Sequence, residues 1–102
     1  MSSRKFHLAL SDEAKEDFRD ILSYTLRMWG ERQVDEYGSI LNEALNATEQ
    51  NPDVGRTDFS PYLYVRAGKH YVFYKFDGDI ISVSRILHGK MDFGRHLNDI
   101  AH

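Results

Sequence analysis

Between Tyr62 and Leu87 lie three segments rich in aromatic and β-branched residues: Tyr62 to Arg66, His70 to Phe76 and Ile80 to Leu87. Only Ala67-Gly68-Lys69 and Asp77-Gly78-Asp79 separate them. Such runs favour strands, and connections this short leave no room for a crossover, so the strands pair antiparallel as a meander. The rest of the chain must pack against that sheet. Upstream, Phe6, Leu8 and Leu10 alternate with Lys5, His7 and Ala9, the period of a strand with one buried face.

Two helical stretches fill the interval. Ser11 stands at an N-cap position, and Asp12 and Glu13 place carboxylates at the positive end of the helix dipole. Ala14, Phe18, Ile21, Leu22, Thr25, Met28 and Trp29 then recur at helical spacing as far as Gly30, a residue suited to ending a helix. Tyr24 and Leu26 flank this stripe about 200° apart at roughly 100° per residue, so the apolar arc is wide. The period resumes with Val34, Tyr37, Ile40, Leu41, Ala44, Leu45 and Thr48 and stops before Asn51-Pro52. A connection of a few residues predicts an antiparallel helical hairpin, in which Gly38 marks either a close backbone approach or simply a tolerated glycine. Asp53 to Ser60 is a polar loop. After His88, Gly89 and Gly94 interrupt the pattern, while Met91, Phe93, Leu97 and Ile100 fit a short helix.

The order β-α-α-β-β-β predicts an α+β fold, a helical hairpin packed on a small antiparallel sheet, with residues 1–102 forming one domain around one core. Without cysteine, neither a disulfide nor a thiolate metal site can brace so short a chain, and stability falls to packing and a partner. No metal site is expected, because the histidines show no ligand spacing, and no cofactor is expected either. The polar start, Met1 to Lys5, and the lack of any long apolar run predict a cytoplasmic protein with no membrane span. A net charge of -3 opposes sequence-independent nucleic-acid binding. The charge is unevenly spread: basic and acidic residues number 6 and 10 up to Asn51, but 7 and 6 beyond it.

Four segments carry a family resemblance. Arg85-Ile86-Leu87-His88-Gly89-Lys90-Met91-Asp92 resembles the RILHxxMD-like ending of the ParE branch of the RelE/ParE toxin superfamily. Gly68-Lys69-His70-Tyr71-Val72-Phe73-Tyr74 resembles its GxHxxFY strand, Asn51-Pro52 to Gly55 its NPxxG loop, and Ala14 to Gly30, ending in Trp29-Gly30, its first helix. The resemblance spans nearly the whole chain. It implies the toxin of a type II toxin-antitoxin system, a protein inhibitor of DNA gyrase rather than an enzyme, with no catalytic residue. It also implies a hetero-oligomer in which a ParD-type antitoxin wraps its C-terminal segment around the toxin. The alternative is the sister activity of the fold, ribosome-dependent mRNA cleavage as in RelE-like toxins.

Each candidate residue has a plainer structural role beside the functional one. Leu22, Leu26 and Trp29, with Tyr37 and Leu41 on the second helix, are the antitoxin-binding candidates, because the apolar arc exceeds what one sheet contact covers. The plainer reading has them closing the domain's own core. Arg66, Lys69, His70, Arg85, His88 and Lys90 are the target-binding candidates, and the same basic residues would have to hold phosphate in a nuclease. That chemistry lacks support: Gly89-Lys90-Met91-Asp92 contains no tyrosine, and Asp92 opposes phosphate. Arg85 shares strand parity with Val83 and Leu87, which favours a partly buried arginine paired with a carboxylate from the hairpin. His70 and His88 are more simply hydrogen-bonded strand residues, Arg95-His96 and His102 solvated tail. The aromatics from Tyr62 to Phe76 fill the core rather than stack nucleic-acid bases.

Overall fold

The computed structural model describes residues 5–101, and the side chains of residues 5–97. Met1 to Arg4 of the polar start and the terminal His102 lie outside the described residues, as does the side chain of Ile100. Helix α1 (Asp12–Trp29) begins where Ser11 Oγ accepts the Ala14 N–H at 3.0 Å, with Asp12 and Glu13 in its first turn. It ends at Gly30, whose φ of 92° is open to glycine and whose N–H reaches the Leu26 carbonyl at 3.0 Å. Helix α2 (Glu31–Gln50) starts at once, so one residue rather than several joins the hairpin. It stops at Asn51, before the proline, as the sequence predicts.

The sheet contains β1 (His7–Leu10), β2 (Arg56–Phe59), β3 (Tyr62–Ala67), β4 (His70–Asp77) and β5 (Ile80–His88) in the order β1-β5-β4-β3-β2. The expected meander is present as β3, β4 and β5. Gly68 and Gly78, with φ of 64° and 60°, occupy the first central position of each two-residue turn, as type II′ geometry requires. Two expectations need correction. The sheet is mixed, because β1 runs parallel to β5, with Leu8 beside Ile81 and Leu10 beside Val83. In addition, β2 is a fifth strand within the stretch expected to be a polar loop. Exposed Arg56, Thr57 and Asp58 gave it no apolar alternation to read, as befits a short, charged edge strand. At the other edge, the Leu8 N–H donates to a Glu49 carboxylate oxygen at 3.1 Å, which joins α2 to β1.

The single core expected from the sequence is two clusters, one on each face of the sheet. Beneath the hairpin lie Ala14, Leu41, Leu45, Ala67, Val72, Tyr74, Ile81, Val83 and Ile86. On the other face Tyr62, Phe73, Leu87 and Leu97 are joined by Phe59, Tyr64, Tyr71 and Phe93. Helix α3 (Phe93–Ala101) supplies Phe93 and Leu97, which is why β4 and β5 are buried in continuous runs rather than alternately. A bulge decides which residue faces which side of β5. Phe73 pairs with Arg85 but Tyr74 with Val83, so Ser84 is extra, and Val83 and Ile86 both enter the hairpin-side core while Leu87 enters the other. The parity shared by Val83, Arg85 and Leu87 in the sequence therefore does not survive in the sheet. Beyond α2, the buried Tyr74 hydroxyl donates to the Pro52 carbonyl at 2.6 Å, and a Cβ at Gly55 would overlap that hydroxyl.

Candidate functional site

In the first three turns of α1, Ala14 is buried and Phe18, Ile21 and Leu22 pack against the hairpin-side core. The helix then leaves the domain: Leu26, Arg27, Met28 and Trp29, a full turn, are all exposed. Tyr24, Leu26, Met28 and Trp29 keep 53%, 50%, 55% and 68% of their surface, which makes the hairpin tip an apolar projection.

The antitoxin-binding candidates therefore separate. Leu26 and Trp29 are exposed on the tip, and Tyr37 is half-buried beside the β3–β4 turn. Leu22 packs against the core with its Cδ2 at ordinary contact distance from a Cβ built at Gly38, so no close approach requires that glycine. Leu41 is fully buried and presents no surface, so for these two leucines the plainer role is the one observed. Tyr24 and Met28 join the surface instead. Tyr24 was legible as the far flank of the wide arc; Met28 matched the core stripe, and only the overhang of the helix exposes it.

The basic candidates gather at one end of the sheet, where His70 and His88 are cross-strand neighbours and the Gly89 N–H donates to the Lys69 carbonyl at 2.9 Å. Several of their side-chain nitrogens already have partners. Asp17 on α1 accepts from Arg85 Nε at 2.7 Å, Arg85 Nη2 at 3.0 Å and the Ile86 N–H at 2.9 Å, the hairpin carboxylate the sequence called for. That bonding holds the Arg85 guanidinium above its ordinary pKa. Arg66 Nε donates to the Gly68 carbonyl at 2.8 Å, and His88 Nδ1 accepts the Lys90 N–H at 3.1 Å, which leaves Nε2 as the donor of that ring. Lys69 and Lys90 extend exposed side chains.

Tyr37 ties this end to the hairpin. Its hydroxyl accepts the Lys69 N–H at 2.9 Å, donates to the Ala67 carbonyl at 3.2 Å and lies 2.5 Å from His70 Nδ1. Partial burial raises the phenol's pKa. Burial also drives His70 down to about 4, helped by His88 and opposed by Asp17, so the ring is neutral at physiological pH. A cleft of about 670 Å³ opens here. Asp20, Ile21, Tyr24, Thr25 and Trp29 form the α1 wall, Gln33 and Tyr37 the α2 wall, and Lys69, His70 and His88 the sheet end. Residues assigned from the sequence to two separate surfaces thus line one cavity, the size of a small-ligand or peptide site.

Among the described residues no three histidines or carboxylates gather as metal ligands, and no helix is long and apolar enough to cross a membrane. Residues 8–93 match the family described as ParE toxin of type II toxin-antitoxin system, parDE. The chain is 36% identical over 101 residues to Toxin ParE1 of Mycobacterium tuberculosis, covering 95% of this chain and 100% of that protein. It is 32% identical over 91 residues to Toxin ParE1 of Caulobacter vibrioides, covering 86% and 94%. Its fold resembles a chain of the chromosomal ParDE TA system from P. aeruginosa with a TM-score of 0.73 at 13% identity, covering 82% of this chain and 96% of that one.

Proposed function

The chain belongs to the ParE toxin family of type II toxin-antitoxin systems, and from that premise we propose that it inhibits DNA gyrase by direct contact in the cytoplasm until a ParD-type antitoxin covers it. The antitoxin half of the proposal is supported by the hairpin tip, where Tyr24, Leu26, Met28 and Trp29 form an apolar projection suited to helix-in-groove docking. Leu26→Glu or Trp29→Glu is expected to weaken antitoxin binding more than target inhibition, measured on folded protein. Unchanged affinity in both variants would move the interface elsewhere.

The observation that favours a protein contact over phosphodiester chemistry is the bonding of the basic residues. Asp17 neutralises Arg85, Gly68 holds Arg66 Nε, and His70 is uncharged. What remains, the exposed Lys69 and Lys90 and the still-charged Arg66 guanidinium, suits a protein rim better than a site that must stabilise charge on a transferring phosphate. Purified chain is expected to impair supercoiling by gyrase and to leave mRNA intact on translating ribosomes. Arg66→Ala, Lys69→Ala and His88→Ala should then reduce inhibition in graded steps of about 1 kcal/mol or less each. Cleavage within codons with gyrase unaffected, or an abrupt hundredfold loss at one of these residues, would establish the RelE-like activity instead.

A further inference from the structure

The cleft beside Tyr37 has an apolar wall between two opposite charges. Ile21, Tyr24 and Trp29 line one side; the Asp20 carboxylate stands on α1 and the Lys69 ammonium on the β3–β4 turn. Neither charge has an ion-pair partner among the described residues, whereas Asp17, one turn before Asp20, is fully engaged by Arg85 and Ile86. A wholly apolar occupant would desolvate both charges without replacing their water, an acidic one would meet Asp20, and a basic one would meet Lys69. About 670 Å³ is also more than one side chain fills, so the cavity suits a short stretch of chain.

We propose that this cleft anchors a dipolar segment of the antitoxin, a bulky apolar side chain seated against Tyr24 and Trp29 between a basic residue facing Asp20 and an acidic residue facing Lys69. The inference rests on the antitoxin reading above and specifies where and by what chemistry the antitoxin is held. Tyr24 and Trp29 belong to both the cleft wall and the exposed hairpin tip, so the two surfaces share residues. The Nε2–H left to His88 gives the acidic residue a second donor beside Lys69.

Trp29 is the chain's single tryptophan and lines the cleft, so 5-fluorotryptophan labelling of the full-length chain gives one fluorine resonance at the site. On titration with the antitoxin encoded by the adjacent gene, that resonance should shift. Asp20→Lys and Lys69→Glu, both at exposed positions and checked for folding by circular dichroism, should each weaken binding about tenfold or more. Reversing one basic antitoxin residue should restore binding to Asp20→Lys alone, and reversing one acidic residue to Lys69→Glu alone. An unmoved resonance with wild-type affinity in both variants, while the antitoxin still binds, would overturn the cleft assignment and leave the antitoxin reading intact. An antitoxin that does not bind the wild-type chain at all would remove both.

Discussion

Replacing Asp17 should injure this protein more than any other change at an ion pair, because one carboxylate serves three donors. Asp17→Ala leaves the Arg85 guanidinium without its counter-charge at a site where the two side chains keep only 21% and 15% of their surface, and it orphans the Ile86 N–H. Breaking a buried pair from one side costs about 3–5 kcal/mol. Residual solvent contact reduces that here, and the unpaired amide adds about 1 kcal/mol or more. A loss of about 3 kcal/mol results, or about 15 °C in Tm for a domain of this size. Arg85→Met should lose only about 1–2 kcal/mol, since Asp17 keeps its Ile86 bond and some water. The double variant Asp17→Leu with Arg85→Met leaves one orphaned amide and no unpaired charge, so it should be more stable than Asp17→Ala. Urea unfolding at neutral pH, followed by far-ultraviolet circular dichroism, ranks the three. A loss below about 1 kcal/mol for Asp17→Ala, or a double variant weaker than that single one, would refute the reasoning.

His70 gives a pH signature: its folded pKa of about 4 lies below its unfolded value near 6.5, so the unfolded chain binds the proton first. Stability should fall as pH drops through that window and level off below it, a slope that His70→Gln should flatten in urea midpoints measured against pH. Tyr37→Phe removes the acceptor of the Lys69 N–H and the partner of His70; it should lose about 1 kcal/mol and speed hydrogen exchange at the Lys69 amide before the core amides. Phe93 lies 4.9, 5.4 and 5.6 Å, ring to ring, from Phe73, Tyr71 and Phe59, so Phe93→Ala should lose about 2 kcal/mol, at the low end for a half-buried ring, and loosen α3 in exchange measurements.

The elements legible in the sequence were those with a strong local signal. Ser11 and Gly30 bounded α1, Pro52 ended the range of α2, and the two glycine turns fixed the meander. Long-range choices were not legible. No local pattern says that β1 lies beside β5, or that Arg56 to Phe59 is ordered by pairing with β3. The bulge at Ser84 changed which side chains share a face, yet Arg85 still found its carboxylate, because a half-buried guanidinium requires one wherever the strand delivers it. For the candidate site, residue type was legible and accessibility was not. Leu22 and Leu41 carry the same periodic signal as Trp29, but only Trp29 lies where α1 has outrun the sheet.

The overhang at Gly30 has an evolutionary consequence. The projecting turn from Leu26 to Trp29 contributes little to the packed interior, and surface replacements away from specific bonds usually shift stability by no more than about 0.5 kcal/mol. Substitutions there can drift without unfolding the domain, while Asp17, Tyr74 and Gly55 hold fixed chemistry beneath. On the proposed reading of the tip, recognition and folding are carried by different residues. On that reading a duplicated copy of this gene can acquire a new partner through a handful of changes at the tip and become insulated from its parent's partner, with the scaffold it inherited left intact.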